Sequence, residues 1–403
     1  MRFSTRLPAD LRPNRLARAA ERERAAGKPI LDLTLSNPTQ AELIYPPGLL
    51  QDLGSPSGLV YSPEPLGLLR AREAVSADYE RRGLSVPPDR VVLTSSTSEA
   101  YSLLFKVLCD PGDEVLVPRP SYPLFDHLTS LEGVVARSYD IGYHGAWSID
   151  LDLVTRACTD RTRAVLAVSP NNPTGSFVTP AELDSVATIC TSVGAAVIVD
   201  EVFADYELRT GAAATAARIM DRDDVLAMSL GGLSKSIGLP QVKLAWMAVA
   251  GPEPMVAEML SRLELASDTY LSVSTMVQAA AAGLFEKGAA VREGIRRRVT
   301  HNHADLVARA RDVAACQVLN ADGGWYAVVR IPTFVSEEDF VLRLLSDDGV
   351  LVHPGYFFDF PTESYCIVSL IQPGREFSEG VERLLRRAMS PDEPPRPRSA
   401  VRQ

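Results

Sequence analysis

The stretch AVLAVSPNNPTG at residues 164–175 and its counterpart AAVIVDEVFADY at 195–206 decide how the rest of the chain is read. Each opens on five apolar residues with no polar alternation and then stops at a polar cluster. A strand that is apolar on both faces belongs to a sheet covered on both sides, and the helix-length segment between the two fits a parallel crossover. Short apolar runs at 90–94, 114–118, 225–230 and 244–250 repeat the pattern, separated by helical stretches such as 68–82 and 98–109. The expected architecture is α/β: a large domain whose mostly parallel sheet, of seven-stranded type, is sandwiched by helices.

The pattern changes near residue 285. A charged helix is expected over 286–310, and 323–331 and 365–370 alternate like strands of an antiparallel sheet, with an amphipathic helix over 336–346 between them. Upstream, 11–26 reads as an arginine-rich helix, 30–35 as a strand, and 41–66, with five prolines, as loop. These readings give an N-terminal segment 1–45 that joins a smaller α+β domain, a large domain over 46–280, and the smaller domain itself over 281–390. A tail, 391–403, has four prolines in thirteen residues and is expected to be disordered.

With 403 residues, 46% of them hydrophobic and 23% charged, the chain has the balance of a soluble globular enzyme. A net charge of −10 offers no basic field for nucleic acid or an anionic membrane. The five cysteines are odd in number and never paired as CxxC, which argues for a reducing compartment and against a metal site. The N-terminus lacks the apolar core of a secretion signal, and no apolar run is long enough to span a membrane, so a cytoplasmic location is expected.

Four polar clusters stand where expected strands end: TSSTSEA (94–100), SPNNPTG (169–175), VIVDEVFADY (197–206) and GLSKSIGLPQVKLAW (232–246). Open α/β sheets bind ligands at that edge. Taken singly, each has a plain explanation: a helix cap, a turn, an aspartate ending a strand, a lysine in a loop of small residues. In this order and spacing they resemble the class I/II aminotransferases, the fold-type I pyridoxal phosphate enzymes. The resemblance runs from ILDLTLSNPT near residue 30 to the last expected strand near 370. It takes in YSPEPLGLLRAREAV, CDPGDEVLVPRPSYPLF and VLVHPGYFFDF on the way.

The residue chemistry agrees. Lys235 is a primary amine that can form a Schiff base with an aldehyde cofactor and, once its pKa is lowered, act as a base. Asp200 emerges at the sheet edge and needs a cationic partner, which a protonated pyridine nitrogen supplies. Ser95, Ser96 and Thr97 precede a helix, whose free amides and dipole seat a phosphate. The resemblance adds further roles. Tyr122 would stack on the pyridine ring and act with Lys235 and Asp200, and Asn172 would bond the ring's phenolic oxygen and face the substrate. Lys243 stands where the family has a phosphate-binding arginine, with Ser234 beside the reactive lysine. Tyr61 would reach the phosphate of a neighbouring subunit, which implies a homodimer. Ser36, Asn37 and Tyr326 are expected to face the substrate; Tyr326 and Trp325 could equally pack the smaller domain. The implied activity is transfer of an amino group between an amino acid or related amine and an oxo acid.

Three positions depart from the family pattern. Phe203 replaces a tyrosine that donates to the cofactor, and Gly232 replaces a phosphate-binding serine. Ile367 or Val368 stands where an arginine clamps the substrate α-carboxylate, leaving Arg375 or Arg330 as substitutes. These departures keep open an alternative on the same scaffold: a β- or γ-elimination or replacement enzyme, a lyase or bond-forming catalyst acting on an amino acid-derived substrate.

Overall fold

A computed structural model describes residues 3–332, 336–362 and 364–389, and the tail at 391–403 lies outside the described residues. The strands in chain order are β1 (Leu31–Asp32), β2 (Val91–Thr94), β3 (Glu114–Arg119), β4 (Val135–Tyr143), β5 (Trp147–Ile149), β6 (Thr162–Val168) and β7 (Ala196–Asp200). They continue as β8 (Ala227–Gly232), β9 (Ala245–Ala250), β10 (Gln317–Val318), β11 (Tyr326–Arg330), β12 (Val350–Leu351), β13 (His353–Pro354) and β14 (Tyr365–Ser369). The helices are α1 (Arg15–Ala25), α2 (Leu69–Arg81), α3 (Thr97–Leu108), α4 (Phe125–Glu132), α5 (Leu151–Ala157) and α6 (Pro180–Val193). After them come α7 (Leu233–Ser236), α8 (Glu253–Asp268), α9 (Thr275–Ala310), α10 (Glu337–Asp348) and α11 (Gly374–Met389).

The large sheet has eight strands in the order β2-β9-β8-β7-β6-β3-β4-β5. The strands from β8 through β4 pair in parallel, while β9 is antiparallel to both β8 and β2. An eighth strand, β5, folds back on β4 as a hairpin that the sequence pattern did not announce. Two reversals restore direction, so β2, β3, β6, β7 and β8 all end on one edge, at Thr94, Arg119, Val168, Asp200 and Gly232.

All five residues of β7 are buried. Leu166 and Ile198 face one layer with Leu104 of α3 and Met259 of α8, while Val165 and Val197 face the other with Leu183 and Val186 of α6. This two-sided burial explains the unbroken apolar runs. Each such side chain contributes about 1.5–3 kcal/mol.

A second sheet, β10-β11-β14-β13, is antiparallel, and β1 pairs in parallel with β12. The 36-residue helix α9 begins eleven residues before the expected 286 and buries Leu284, Val291, Ile295, Val299 and Leu306 in the cluster that also holds Leu370 and Phe377. No helix among the described residues is long and apolar enough to cross a membrane.

One close approach brings the segment before β11 to the edge of the large sheet. The amides of Asp322 and Gly323 donate to the Gly175 carbonyl at 3.0 and 2.8 Å, and Gly324 donates to the Tyr206 carbonyl at 2.7 Å. A Cβ on Gly175, whose φ is +72°, would lie 2.6 Å from the Gly323 carbonyl oxygen. One on Gly323 would lie 2.9 Å from that of Tyr206. Glycine is needed at both positions, and the contact carries Trp325 to the end of β8.

Candidate active site

Lys235 lies on α7, a single helical turn directly after β8. Its Nζ is 5.1 Å from the centroid of the Trp325 ring and 5.6 Å from that of Phe203, both of them buried side chains. Burial pushes the ammonium down to about 8, and the opposite charge of Asp200 pulls it only partly back.

Asp200 is buried at the end of β7. Burial pushes its carboxyl up to about 6, with hydrogen bonds opposing the shift. Tyr101 Oη of α3 donates to Oδ2 at 2.8 Å and the Val202 amide donates to Oδ1 at 3.0 Å. A buried carboxylate supported by two donors and facing a lysine is ready to accept a cation. Tyr122 is close enough for the Asp200 charge to add to the upward push that burial gives its phenol, and its ring packs edge-on against Phe125 at 5.8 Å.

The start of α3 is arranged to hold an anion. Ser96 is the N-cap: its Oγ accepts from the Glu99 amide at 3.1 Å and its carbonyl from the Ala100 amide at 3.0 Å. The Ser95 amide is taken by Glu99 Oε2 at 2.6 Å, so the helix amides left for a ligand are those of Thr97 and Ser98. The Ser95 amide, expected to serve a phosphate, is therefore already occupied by the cap.

Asn172 is buried, and its Oδ1 has no hydrogen-bond partner among the described residues. Turning the amide over presents an N–H donor at the same place. Ser236 Oγ is likewise buried and unpartnered, whereas Ser234 is half-buried.

Tyr326 begins β11 with its side chain buried and its phenol pushed up to about 12 by burial, a shift that the nearby Ser36 side chain opposes. Phe203 and Phe358 stand at 6.3 Å from its ring. The structure thus brings Ser36, Tyr326, Phe203 and Lys235 into one aromatic-walled region. Asn37 uses its Oδ1 to cap the turn Pro38–Gln40. Ile367 is fully buried on β14, in register with Val328 and His353. The His353 imidazole is pushed down to about 4 by burial, so it adds no positive charge here at neutral pH.

Other expected residues lie farther out. Lys243 is exposed in a left-handed conformation before β9. Tyr61 is 72% exposed and lines a cavity with Glu99 and Ser272. Arg375 is exposed on the first turn of α11, where the neighbouring Gly374 lies against His301 and Asn302 of α9. Arg330 bonds Gln317 and covers the Tyr365 ring.

Sequence reasoning missed Tyr101, whose only signal was a lone hydroxyl on the apolar face of the helix after the serine cluster. It also missed Tyr206 and Arg292, which bond the backbone of the lysine turn.

A model of the family described as aminotransferase class I and II matches residues 48–367. The chain is similar to an alanine aminotransferase of Mycobacterium tuberculosis, at 25% identity over 91% of this chain and 87% of that one. It is also similar to an S-alkyl-thiohydroximate lyase of Arabidopsis thaliana, at 27% identity over 75% of this chain and 67% of that one. Among solved structures, an alanine aminotransferase from Pyrococcus furiosus superposes with a TM-score of 0.85 at 25% identity, covering 96% of this chain and 99% of that one.

Proposed function

The chain belongs to the class I and II aminotransferase family, and from that premise we propose a homodimeric, pyridoxal 5'-phosphate-dependent aminotransferase whose reactive amine is Lys235. One observation carries the reading: half-buried Lys235, brought down to about 8 by its surroundings, follows the strand that pairs with the one ending on buried Asp200, whose remaining need is a cation. The residues present fit the cofactor. Asp200 suits a protonated ring nitrogen, the unsatisfied Asn172 amide suits the phenolic oxygen, and the Thr97 and Ser98 amides with Ser236 Oγ suit the phosphate. When bound, the cofactor supplies an aldehyde for the lysine and an electron-withdrawing ring that stabilises negative charge at the substrate Cα.

The chain's own groups supply the rest. Near pH 8 a substantial fraction of Lys235 is neutral, so Nζ can accept the Cα proton and give it back. Tyr101 and the Val202 amide keep Asp200 ionised and oriented. Trp325 and Phe203 exclude water from the underside of the lysine. Leu59, Val60, Tyr61 and Met276 form an exposed apolar surface, which supports a second copy packing there and Tyr61 reaching its site. The five free cysteines support residence in a reducing compartment.

A second reading, elimination or replacement on an amino acid-derived substrate, is favoured by the apolar wall at Ile367 and by similarity to a lyase. Mixing the cofactor-loaded protein with a panel of amines separates the two. Stoichiometric conversion to pyridoxamine phosphate with release of an oxo acid supports transamination. Release of ammonia or thiol supports the second reading, and no spectral change with any amine contradicts both.

A further inference from the structure

Lys235 sits on one helical turn, α7, of four residues. A turn that short has no stability of its own, and its last carbonyls lack partners within the helix. Donors from two separate segments meet them, and a third holds the chain just beyond the turn. Tyr206 Oη lies 2.6 Å from the Lys235 carbonyl and 2.9 Å from that of Ser236. Arg292 Nε of α9 donates to the Ser236 carbonyl at 3.1 Å, and Tyr45 Oη donates to the Gly238 carbonyl at 2.8 Å. Tyr206 and Arg292 are both buried.

The arginine is itself fixed. It pairs with Asp78 at 2.9 Å and Asp205 at 3.3 Å, and Arg81 closes the ring by pairing with the same two aspartates at 2.9 and 2.5 Å. Two cations and two anions balance one another, so this network does not depend on the lysine for neutrality. The Nε–H of Arg292 is directed at the Ser236 carbonyl of the lysine's turn, and the same nitrogen is the atom 3.3 Å from Asp205. The Tyr206 ring packs against Trp325 at 5.3 Å, a contact that phenylalanine would make equally well. What the hydroxyl adds is the hold on the carbonyls.

The geometry points to Tyr206 and Arg292 as positioning residues that clamp the backbone of Lys235 from behind, so that its amine leaves and re-engages the reacting atoms from a fixed Cα. This inference rests on the reading of Lys235 as the reactive amine. Misplacing a reacting group by about 1 Å can cost on the order of 100-fold in rate, with little change in binding.

The test compares wild type with Tyr206→Phe, Arg292→Met, Arg292→Lys and the Tyr206→Phe/Arg292→Met double variant. In cofactor-free protein, hydrogen exchange is followed at the amides of Ile237 and Leu239, which both bond the Leu233 carbonyl and close the turn. Exchange there is expected to quicken about tenfold in Tyr206→Phe, the loss of about 1.4 kcal/mol that one hydrogen bond contributes. In loaded protein, kcat is expected to fall about 10- to 100-fold with KM little changed. Arg292→Lys should recover part of what Arg292→Met loses, and the double variant should lose less than the product of the singles because both act on the Ser236 carbonyl. A lowered melting temperature with unchanged exchange at 237–239 and unchanged kcat would overturn the inference. Should Arg292→Met fail to fold, Tyr206→Phe decides the question alone. Failure of wild type to take up pyridoxal phosphate would refute the functional reading, while the exchange result still judges the clamp.

Discussion

Replacing Tyr101 by phenylalanine isolates the hydrogen bond that keeps Asp200 charged. The ring would keep its edge-on contact with Phe125 at 5.5 Å, and only the 2.8 Å bond to Oδ2 would be lost. A hydrogen bond to a charged group is worth about 1.5–3 kcal/mol, and a pKa unit corresponds to about 1.4 kcal/mol, so the carboxyl should rise by about one to two units. From its value of about 6 it would then titrate close to neutrality. The assay is the equilibrium affinity for pyridoxal phosphate across a pH series, since a cationic ring nitrogen is held only by the carboxylate form. Wild-type affinity should weaken as pH falls through about 6. In the variant the weakening should begin about one to two units higher, leaving affinity at pH 7 about two- to tenfold lower. An acid limb that stays in place, or moves to lower pH, refutes the assignment of Tyr101 as the group holding Asp200 ionised.

The same charges govern the stability of the cofactor-free protein. Lys235 titrates near 8 in the fold against 10.5 ordinarily, so the unfolded chain binds more protons between those values and stability should rise with pH across that window. The rise should amount to about 3 kcal/mol. Lys235→Met should abolish it and be the more stable protein at pH 7, as read by urea unfolding at pH 7 and pH 10. Asp200 has the opposite sign: its pKa is raised from 3.8 to about 6, so its contribution falls as pH rises through that interval, and Asp200→Asn should flatten the fall. Gly175→Ala forces a side chain to φ +72° and to within 2.6 Å of the Gly323 carbonyl oxygen. A loss of at least about 2 kcal/mol in denaturant titration is expected. Phe203→Tyr adds a donor beside the lysine, and should lower the pKa of the lysine–cofactor linkage in an absorbance titration; an unchanged or raised value counts against that placement.

The edge of the large sheet was legible because β2, β6, β7 and β8 are mostly apolar, buried runs that end abruptly in polar clusters, so Asp200, Asn172 and Lys235 could be placed at strand ends without coordinates. The hairpin β4–β5 was not legible. Most of β4 is exposed or half-buried, and its residues lack both the unbroken apolar run and clean alternation. The first eleven residues of α9 were missed because TMVQAAAAGLF offers a run of alanines and a glycine in place of a sharp apolar face. At the site, the groups missed are those that arrive through tertiary packing. Tyr101 comes from a helix, and Arg292 from 57 positions beyond the lysine it braces. No local spacing encodes such meetings. The Ile367 position was legible as a departure, but only the structure shows it buried in register with Val328 and His353.

Reduction with borohydride after incubation with pyridoxal phosphate, followed by peptide mass mapping, addresses the reactive amine itself. One phosphopyridoxyl group on the peptide that contains Lys235, absent from Lys235→Met, is the expected result. No adduct, or an adduct carried by Lys243 or a surface lysine in place of Lys235, would contradict the account at its root.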